Sequence, residues 1–386
     1  MSFIHALFWI QICGIVYAYL GYPLVLRLLA SVSAHRRKPA EATSGAAYSP
    51  SVTMIVPVHN EASVIARKVE NTLALDYPRD KLEVLFVSDG STDGTAEVIR
   101  SRLVPHLRLL ELAERGGKAR ALNHGLAHAT GEIVCFTDAS IALDRDALAT
   151  LVANFRDPAI GCASGEDVIA GGGGEGLYGR YELALRRLES TVHSIVGASG
   201  SFYAQRRALC GEFPEGMAPD FLSVLITVEQ GYRAISDSKA KGSMTSLSSS
   251  QAEFERKVRT ILRGISTLFH KRRLLNPLRF GVFAVELISH KLMRWCVPFF
   301  LVVLFVSNLF LLDRAAYVVL LAGQIAFYGV ALLSWLGVPL VEKSLAGRVA
   351  AYFTIVNVAT LFAWWKYASG VRQEIWNPTR REPADS

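Results

Sequence analysis

Two stretches decide the fold: Val52-Thr53-Met54-Ile55-Val56-Pro57-Val58-His59-Asn60-Glu61 and Glu83-Val84-Leu85-Phe86-Val87-Ser88-Asp89-Gly90-Ser91-Thr92-Asp93-Gly94-Thr95. Each opens with a short, nearly continuous apolar run, Val52 to Val58 and Glu83 to Ser88, and closes on polar residues. Such runs read as strands covered on both faces. A third run, Glu132 to Thr137, ends at Asp138. Helical patterns follow at Glu61 to Leu75, Thr95 to Leu103 and Asp144 to Phe155. Strands alternating with helices predict an α/β fold built on a doubly wound, mostly parallel sheet. Ligands of such sheets bind outside the carboxyl ends of the strands. Asn60, Glu61, Asp89 and Asp138 therefore point at one crevice.

Outward from this core the composition changes. Of 386 residues 51% are hydrophobic and only 19% charged, with a net charge of +7, which excludes disorder and a collagen-like chain. From Phe3 to Leu26 there is no Lys, Arg, Asp or Glu. That run is long enough to cross a hydrocarbon core of about 30 Å. It lacks a positive charge ahead of it and exceeds a signal peptide's apolar core, so it reads as a spanning helix. Arg27, Arg36, Arg37 and Lys38 follow it, which puts the amino terminus outside and the sheet domain inside. Further apolar runs lie at Val297 to Leu312, Ala315 to Leu336 and Val349 to Trp365. The last is interrupted by Thr354, Asn357 and Thr360 and followed by Lys366, Arg372, Arg380 and Arg381, which predicts an interfacial or re-entrant segment.

Between Phe254 and Phe269, Phe254, Val258, Ile261, Leu262, Ile265 and Leu268 recur at helical spacing, with Arg256, Lys257, Arg259 and Arg263 between them. This predicts an amphipathic helix in the headgroup layer. The basic groups flank apolar segments, so they read as lipid-facing and not as a nucleic-acid surface.

Several chemistries are excluded. Cys13, Cys135, Cys162, Cys210 and Cys296 form neither a disulfide framework nor a zinc pattern and read as small apolar residues. Asp89 to Thr95 resembles a calcium loop, but Arg100 stands where the twelfth-position acid belongs. Thr92 and Asp93 read instead as turn and capping residues. Gly171-x-Gly173-x-x-Gly176 matches a dinucleotide fingerprint only in spacing and comes too late in the sheet, and Gly116-Gly117-Lys118 is not a phosphate loop.

One ordered set of motifs remains: Pro57-Val58-His59-Asn60-Glu61, Asp89 to Thr95, Gly117-Lys118-Ala119-x-Ala121-Leu122-Asn123, Phe136-Thr137-Asp138-Ala139, and Asp220 ahead of Gly231-Tyr232-Arg233. Together these resemble the processive-type family 2 glycosyltransferases, whose members include cellulose, hyaluronan and poly-N-acetylglucosamine synthases. The likeness covers about Ser51 to Arg263 and extends weakly to Trp376 through Arg381.

The resemblance implies a nucleotide-diphosphate-sugar transferase fold and a metal-dependent, inverting hexosyl transfer from a UDP-sugar to a polysaccharide or lipid-linked acceptor. It implies that Pro57, His59, Asn60, Glu61 and Asp89 surround the base and ribose. Lys118 would lie near the diphosphate, with Asp138 and Ala139 beside it. Asp138 and Ser140 would face Mg²⁺ or Mn²⁺, Asp220 would be the general base, and the turn Gly197, Ser199, Gly200 would lie near the acceptor. The chemistry demands these types: a base within hydrogen-bond reach of the acceptor hydroxyl, and a cation against the leaving diphosphate.

Three positions depart from the family pattern. Ser140 replaces the second acidic ligand, Pro219 replaces the acid before the base, and no Gln-x-x-Arg-Trp occurs near Arg256 to Thr260. The first leaves one carboxylate for the cation, and the last removes an element that holds a growing polymer.

The sequence therefore divides into a spanning helix (1–30), a linker (31–50), a catalytic domain (51–250), interface helices (251–295), membrane helices (296–370) and a basic tail (371–386). The expected location is the inner membrane with the catalytic domain cytoplasmic, and export-complex subunits are expected partners. The alternative is a catalytically silent subunit of a polysaccharide synthesis or export complex that only binds nucleotide.

Overall fold

The computed structural model describes residues 3–36, 48–170, 174–245 and 250–371. Arg37 and Lys38, most of the linker, the glycines 171–173 and the basic tail from Arg372, with its Trp376 to Arg381 motif, lie outside the described residues.

Strands β1 (Val52–Val58), β2 (Leu82–Asp89), β3 (Leu107–Leu112), β4 (Ile133–Thr137), β5 (Ala142–Leu143), β6 (Ile160–Ala170), β7 (Phe202–Arg206) and β8 (Arg233–Thr245) form one sheet in the order β3-β2-β1-β4-β7-β6-β8-β5. The half from β3 to β4 is parallel, as the alternating pattern requires. Beyond β4 the sheet is mixed. β7 runs antiparallel to both β4 and β6, β6 pairs parallel with β8, and β5 is antiparallel to β8. The second half was not visible as strands because β6 and β8 carry Ser, Asp, Lys and Gly among their apolar residues.

The helices are α1 (Phe3–Val16), α2 (Tyr22–Arg36), α3 (Ala62–Leu73), α4 (Thr95–Arg100), α5 (Lys118–His128), α6 (Ala147–Ala153), α7 (Gly174–Val192), α8 (Pro219–Glu229), α9 (Ser250–His270), α10 (Pro277–Leu287), α11 (Met293–Leu309), α12 (Ala315–Trp335), α13 (Pro339–Glu342) and α14 (Leu345–Ala368). Both faces of the sheet are covered. Val52, Met54, Val56 and Val58 of β1 pack on one side with Ile65 and Val69 of α3 and Leu148 and Leu151 of α6. Ile55 faces the other side, with Leu122 of α5 and Leu222 and Leu225 of α8. Period two with burial on both sides is the signature of a strand between two helix layers. Cys135 and Cys162 are buried within these two cores.

Among the described residues four stretches are long and apolar enough to cross a membrane: Phe3–Val32, Pro277–Leu309, Ala315–Trp335 and Leu345–Ala368. α1 runs antiparallel to α11, for Phe8 packs against Leu311 and Tyr317 while Tyr17 OH lies 2.8 Å from Ser289 Oγ. The sheet domain attaches at the other end, where Tyr22 and Leu26 of α2 pack on Leu185 of α7. A polar seam locks this junction. Tyr22 OH donates to Glu189 Oε1 at 2.7 Å, and His290 Nδ1 lies 2.5 Å from the same oxygen. His290 Nε2 stands 3.0 Å from Glu182 Oε2, and Arg294 pairs with Glu182. These groups are removed from water and hold one another in place, as buried charges must.

The structure corrects the picture of α9. Its apolar stripe is covered by protein: Leu262 and Ile265 pack on Ala363, Trp295, Trp364 and Tyr367, and Leu268 joins the core of the sheet domain. Its basic residues Arg256, Lys257, Arg259 and Arg263 line the crevice. α14 is continuous through Asn357 and Thr360, which donate to the carbonyls of Phe353 and Val356 one turn back. Contacts of α14 with α9 and the start of α11 run from Tyr352, bonded to Lys257 Nζ at 2.7 Å, to Trp364, bonded to Trp295 O at 2.9 Å, and Tyr367, stacked on Phe269.

Candidate active site

The crevice forms where β1, β2 and β4 end. After β1 the chain reverses at Asn60, whose φ of 51° lies in the left-handed region that Asn tolerates better than most residues. Asn60 Oδ1 accepts from Thr92 N at 2.8 Å, and Glu61 N donates to Thr95 Oγ1 at 2.9 Å. The β1 and β2 loops are thus stitched together. Asp93 completes the stitching by accepting from Ala62 N at 3.0 Å and from Thr95 Oγ1 at 2.5 Å. Thr92 and Asp93 are turn residues, as their spacing suggested.

Asp89 and His59 sit beneath this surface. Asp89 is 1% exposed, and its two carboxylate oxygens accept from Gly116 N and Gly117 N, each at 2.7 Å. His59 Nδ1 lies 2.6 Å from Asp89 O, and the ring is buried. Gly90 adopts a φ of +62°, and a Cβ there would stand 2.7 Å from Arg115 N, so the loops pack backbone to backbone. Neither Asp89 nor His59 is among the residues lining the two cavities described below. Their side chains fix the loop that delivers Lys118.

Lys118 opens α5 and places Nζ 2.5 Å from Asp138 Oδ1 and 3.2 Å from Gly200 O. Asp138 follows β4, and its amide donates to Ser201 O at 3.1 Å, which sets the 197–201 turn beside it. Asp220 lies in the first turn of α8, with Pro219 at the first helical position. A Cβ on Gly200 would approach Asp220 Cγ at 3.7 Å. Pro57, Lys118, Asp138, Gly200 and Asp220 line one small recess. A larger cavity of about 500 Å³ continues from it and includes Glu61, Ala139, Ser140, Gly197 and Asp167. Asp220, in the first turn of α8, and Asp138, just after β4, line the same recess although they are far apart in the chain.

The electrostatics are those of an enclosed polar site. Burial raises the Asp220 carboxyl above its ordinary range, against the opposing pull of Lys118, Lys291 and Arg186. Glu61 is pushed up to about 7 by burial and then by the charges of Asp138 and Asp93. Burial also raises Asp167, although Ser199 Oγ donates to it at 2.5 Å. Glu166, the neighbouring acid, is occupied by Arg187 at 2.6 Å.

Two features escaped the sequence. Lys68 of α3 is wholly buried behind β4, where Nζ donates to Thr137 Oγ1 at 3.0 Å and to Ile141 O at 2.9 Å. Burial pushes it down to about 7. Its place on the apolar face of α3, one turn after Val64 and beside Val69, was the one available signal. Arg186 and Lys291 also line the cavity, brought there by α7 and the turn before α11, and nothing local marked them.

Ser140 and Asp138 are oxygen donors lining the same space, which fits a hard divalent cation that takes its remaining ligands from phosphate and water. Among the described residues no group of three or more His, Cys, Asp or Glu stands at metal-holding distance, so any such cation depends on its other ligands.

The model for glycosyl transferase family 2 matches residues 53–210. Those residues are a family 2 glycosyltransferase domain. The chain is 35% identical over 116 residues to poly-beta-1,6-N-acetyl-D-glucosamine synthase of Staphylococcus aureus, covering 30% of this chain and 28% of that relative. It is also 35% identical over 125 residues to beta-monoglucosyldiacylglycerol synthase of Synechocystis, covering 31% of this chain and 26% of the relative. Among solved structures a mannosyltransferase from Pyrobaculum calidifontis, in complex with GDP-Man and Mn²⁺, superposes with a TM-score of 0.70 at 28% identity. That match covers 94% of this chain and 99% of the other, so the likeness runs through the membrane helices as well as the glycosyltransferase domain.

Proposed function

We propose that this chain is a membrane-bound, inverting glycosyltransferase that moves a hexosyl group from a nucleotide-diphosphate sugar to a lipid-linked or polysaccharide acceptor. The observation that carries the reading is the opposition of Asp138, paired to Lys118, and Asp220 across one recess. Asp220 acts as the general base: it takes the acceptor hydroxyl proton while the hydroxyl oxygen attacks the anomeric carbon. Lys118 supplies positive charge beside the departing diphosphate. Asp138 and Ser140 would hold Mg²⁺ or Mn²⁺, which would supply positive charge against the leaving diphosphate. Pro57, Asn60 and Glu61 form the donor's wall, held from behind by His59 and Asp89. Gly197, Ser199 and Gly200 form the acceptor-side turn, kept small so that a sugar can approach.

A UDP-sugar is the donor implied by the sequence likeness, whereas the mannosyltransferase of similar fold holds GDP-Man. The sheet domain lies on the cytoplasmic side of the inner membrane, with α14 lying along the interface beside α9. The silent-subunit alternative finds no support in a site where base, cation and metal-facing carboxylate stand together.

The test is nucleoside diphosphate release by the purified full chain in lipid nanodiscs, offered UDP-glucose, UDP-N-acetylglucosamine and GDP-mannose with lipid extracts. One donor should be consumed, release should stop with EDTA and return with Mn²⁺. No release above background from any donor, with any extract, would sink the enzymatic reading.

A further inference from the structure

The crevice is longer than a donor needs. Besides Glu61, Asp138, Asp167 and Asp220, its lining carries a group of basic residues brought by helices, and the one acid that α7 adds there, Glu182, is paired with Arg294. Arg256, Arg259 and Arg263 arrive from α9, Arg186 from α7 and Lys291 from the turn before α11. The residues i, i+3 and i+7 share one helix face, so these three arginines form a strip about 10 Å long. Arg263 is pushed down to about 10 by burial and by Arg259, and Arg259 is lowered by burial and by Arg256. These cations lie close enough to act on one another, and the electrostatic field of Arg263, Lys291 and Arg186 reaches Asp220.

A second cavity of about 590 Å³ abuts it between α9, α12 and α14, lined by Phe254, Leu332, Trp335, Ile355 and Val358, with the charged Glu253, Glu342 and Arg348 also on its wall. The two share a wall: Lys257 faces the crevice, Tyr352 faces the groove, and Nζ and OH are 2.7 Å apart. A mainly apolar groove between α9, α12 and α14 leads, across one side chain, to the arginine strip beside Asp220.

We propose that the membrane-side end of the crevice binds the phosphate or diphosphate of an amphiphilic acceptor, held by Arg256, Arg263, Arg186 and Lys291, with its apolar chain in the α9–α12–α14 groove. This rests on the glycosyl-transfer reading above and names the acceptor class for it. The anion anchors the lipid while a hydroxyl further along its head group reaches Asp220. That hydroxyl oxygen bonds to the anomeric carbon, the bond from that carbon to the diphosphate oxygen breaks with its electron pair leaving on the nucleoside diphosphate, and the hydroxyl proton passes to Asp220. Guanidinium groups suit the anion because they bond phosphate oxygens in pairs and remain charged. The apolar groove explains why the site sits at the membrane rather than in the open face of the sheet.

The test is calorimetry on the full chain in detergent micelles with farnesyl diphosphate, farnesol and inorganic pyrophosphate as probes, and with UDP and GDP titrated in parallel. Farnesyl diphosphate should bind at least about tenfold more tightly than either farnesol or pyrophosphate. Arg256→Gln with Arg263→Gln should weaken it by about tenfold or more while UDP or GDP affinity stays within about threefold. Arg256→Lys with Arg263→Lys should recover part of the loss, which a merely misfolded helix would not allow. Equal binding of farnesol, or binding that survives the glutamine pair, overturns the proposal. So does pyrophosphate that binds as well as farnesyl diphosphate and is displaced by UDP, because the strip then serves the donor. Failure of UDP and GDP to bind the wild type would instead strike the proposed function and leave the lipid comparison legible.

Discussion

The two walls of the crevice are built in opposite ways. The wall proposed for the donor comes from three loops following β1, β2 and β4, held mainly by backbone groups: Asn60 by Thr92 N, Asp138 by the 197–201 turn, and behind them Asp89 by two amides. The wall proposed for the acceptor comes from α7, α8, α9 and the start of α11, elements far apart in the chain, and its positions depend on how those helices pack on one another. Backbone-held loops tolerate few states, whereas a wall of packed helices shifts with its seam. The comparison predicts that damage to one wall should leave the other's function nearly intact.

The largest effect should come from Asp220, which belongs to the acceptor wall but faces the donor. Asp220→Asn keeps shape and capping capacity and removes basicity. Turnover should fall by about 10² to 10⁴, equivalent to roughly 3–5 kcal/mol of transition-state stabilisation. Nucleotide affinity should stay within a few-fold, because the donor wall is untouched. Steady-state kinetics with parallel nucleotide titration separates the two. Near-normal turnover would make Asp220 structural and move the base to another acid lining the crevice, Asp167 first among them.

Next in size is the seam that mounts the acceptor wall. Arg294 pairs with Glu182, which also faces His290 at 3.0 Å. Burial alone would raise the Glu182 carboxyl, yet Arg294 and His290 hold it well below the usual range. Arg294→Met would strand that carboxylate, and removing one partner of a buried pair costs about 3–5 kcal/mol. Thermal unfolding should shift down accordingly. Glu182→Gln added to Arg294→Met should restore much of the loss, since the pair rather than either charge is what the seam requires. Nucleotide affinity of the folded fraction should barely change. A donor-binding defect as large as the stability loss would break the two-wall picture.

These two walls also mark what the sequence disclosed. The donor wall was legible because each of its residues lies within a few positions of a strand end, where chain direction alone fixes its place. Asp220 was legible only through its resemblance-bearing spacing to Gly231-Tyr232-Arg233 and the pattern of α8. The mixed half of the sheet was not legible, because β6 and β8 lack an apolar alternation and β7's direction is set by the turn at 197–201 rather than by its composition. Arg186 and Lys291 were invisible for a similar reason: charged residues on helices read as solvent-facing until tertiary packing turns them inward. The stripe on α9 was read correctly as amphipathic, but periodicity cannot say whether lipid or α14 covers an apolar face.

The smallest effect tests the donor wall itself through Glu61. Its carboxyl sits at about 7 in the folded protein against an ordinary 4.5, because burial disfavours the charge and Asp138 and Asp93 add repulsion. Between about 4.5 and 7 the folded chain therefore keeps a proton that the unfolded chain has released. Stability must decline as pH rises across that window and level off above it. Glu61→Gln removes the titration while preserving shape. Its melting temperature should match the wild type near pH 4.5 and exceed it by a few degrees at pH 8, with a flatter profile between. A saturating nucleotide with Mn²⁺ should shrink the same difference, because positive charge beside Asp138 favours an ionised Glu61. If the variant and the wild type keep parallel profiles from pH 4.5 to 8, Glu61 does not share the field of Asp138, and the donor wall is not the enclosed electrostatic unit described above.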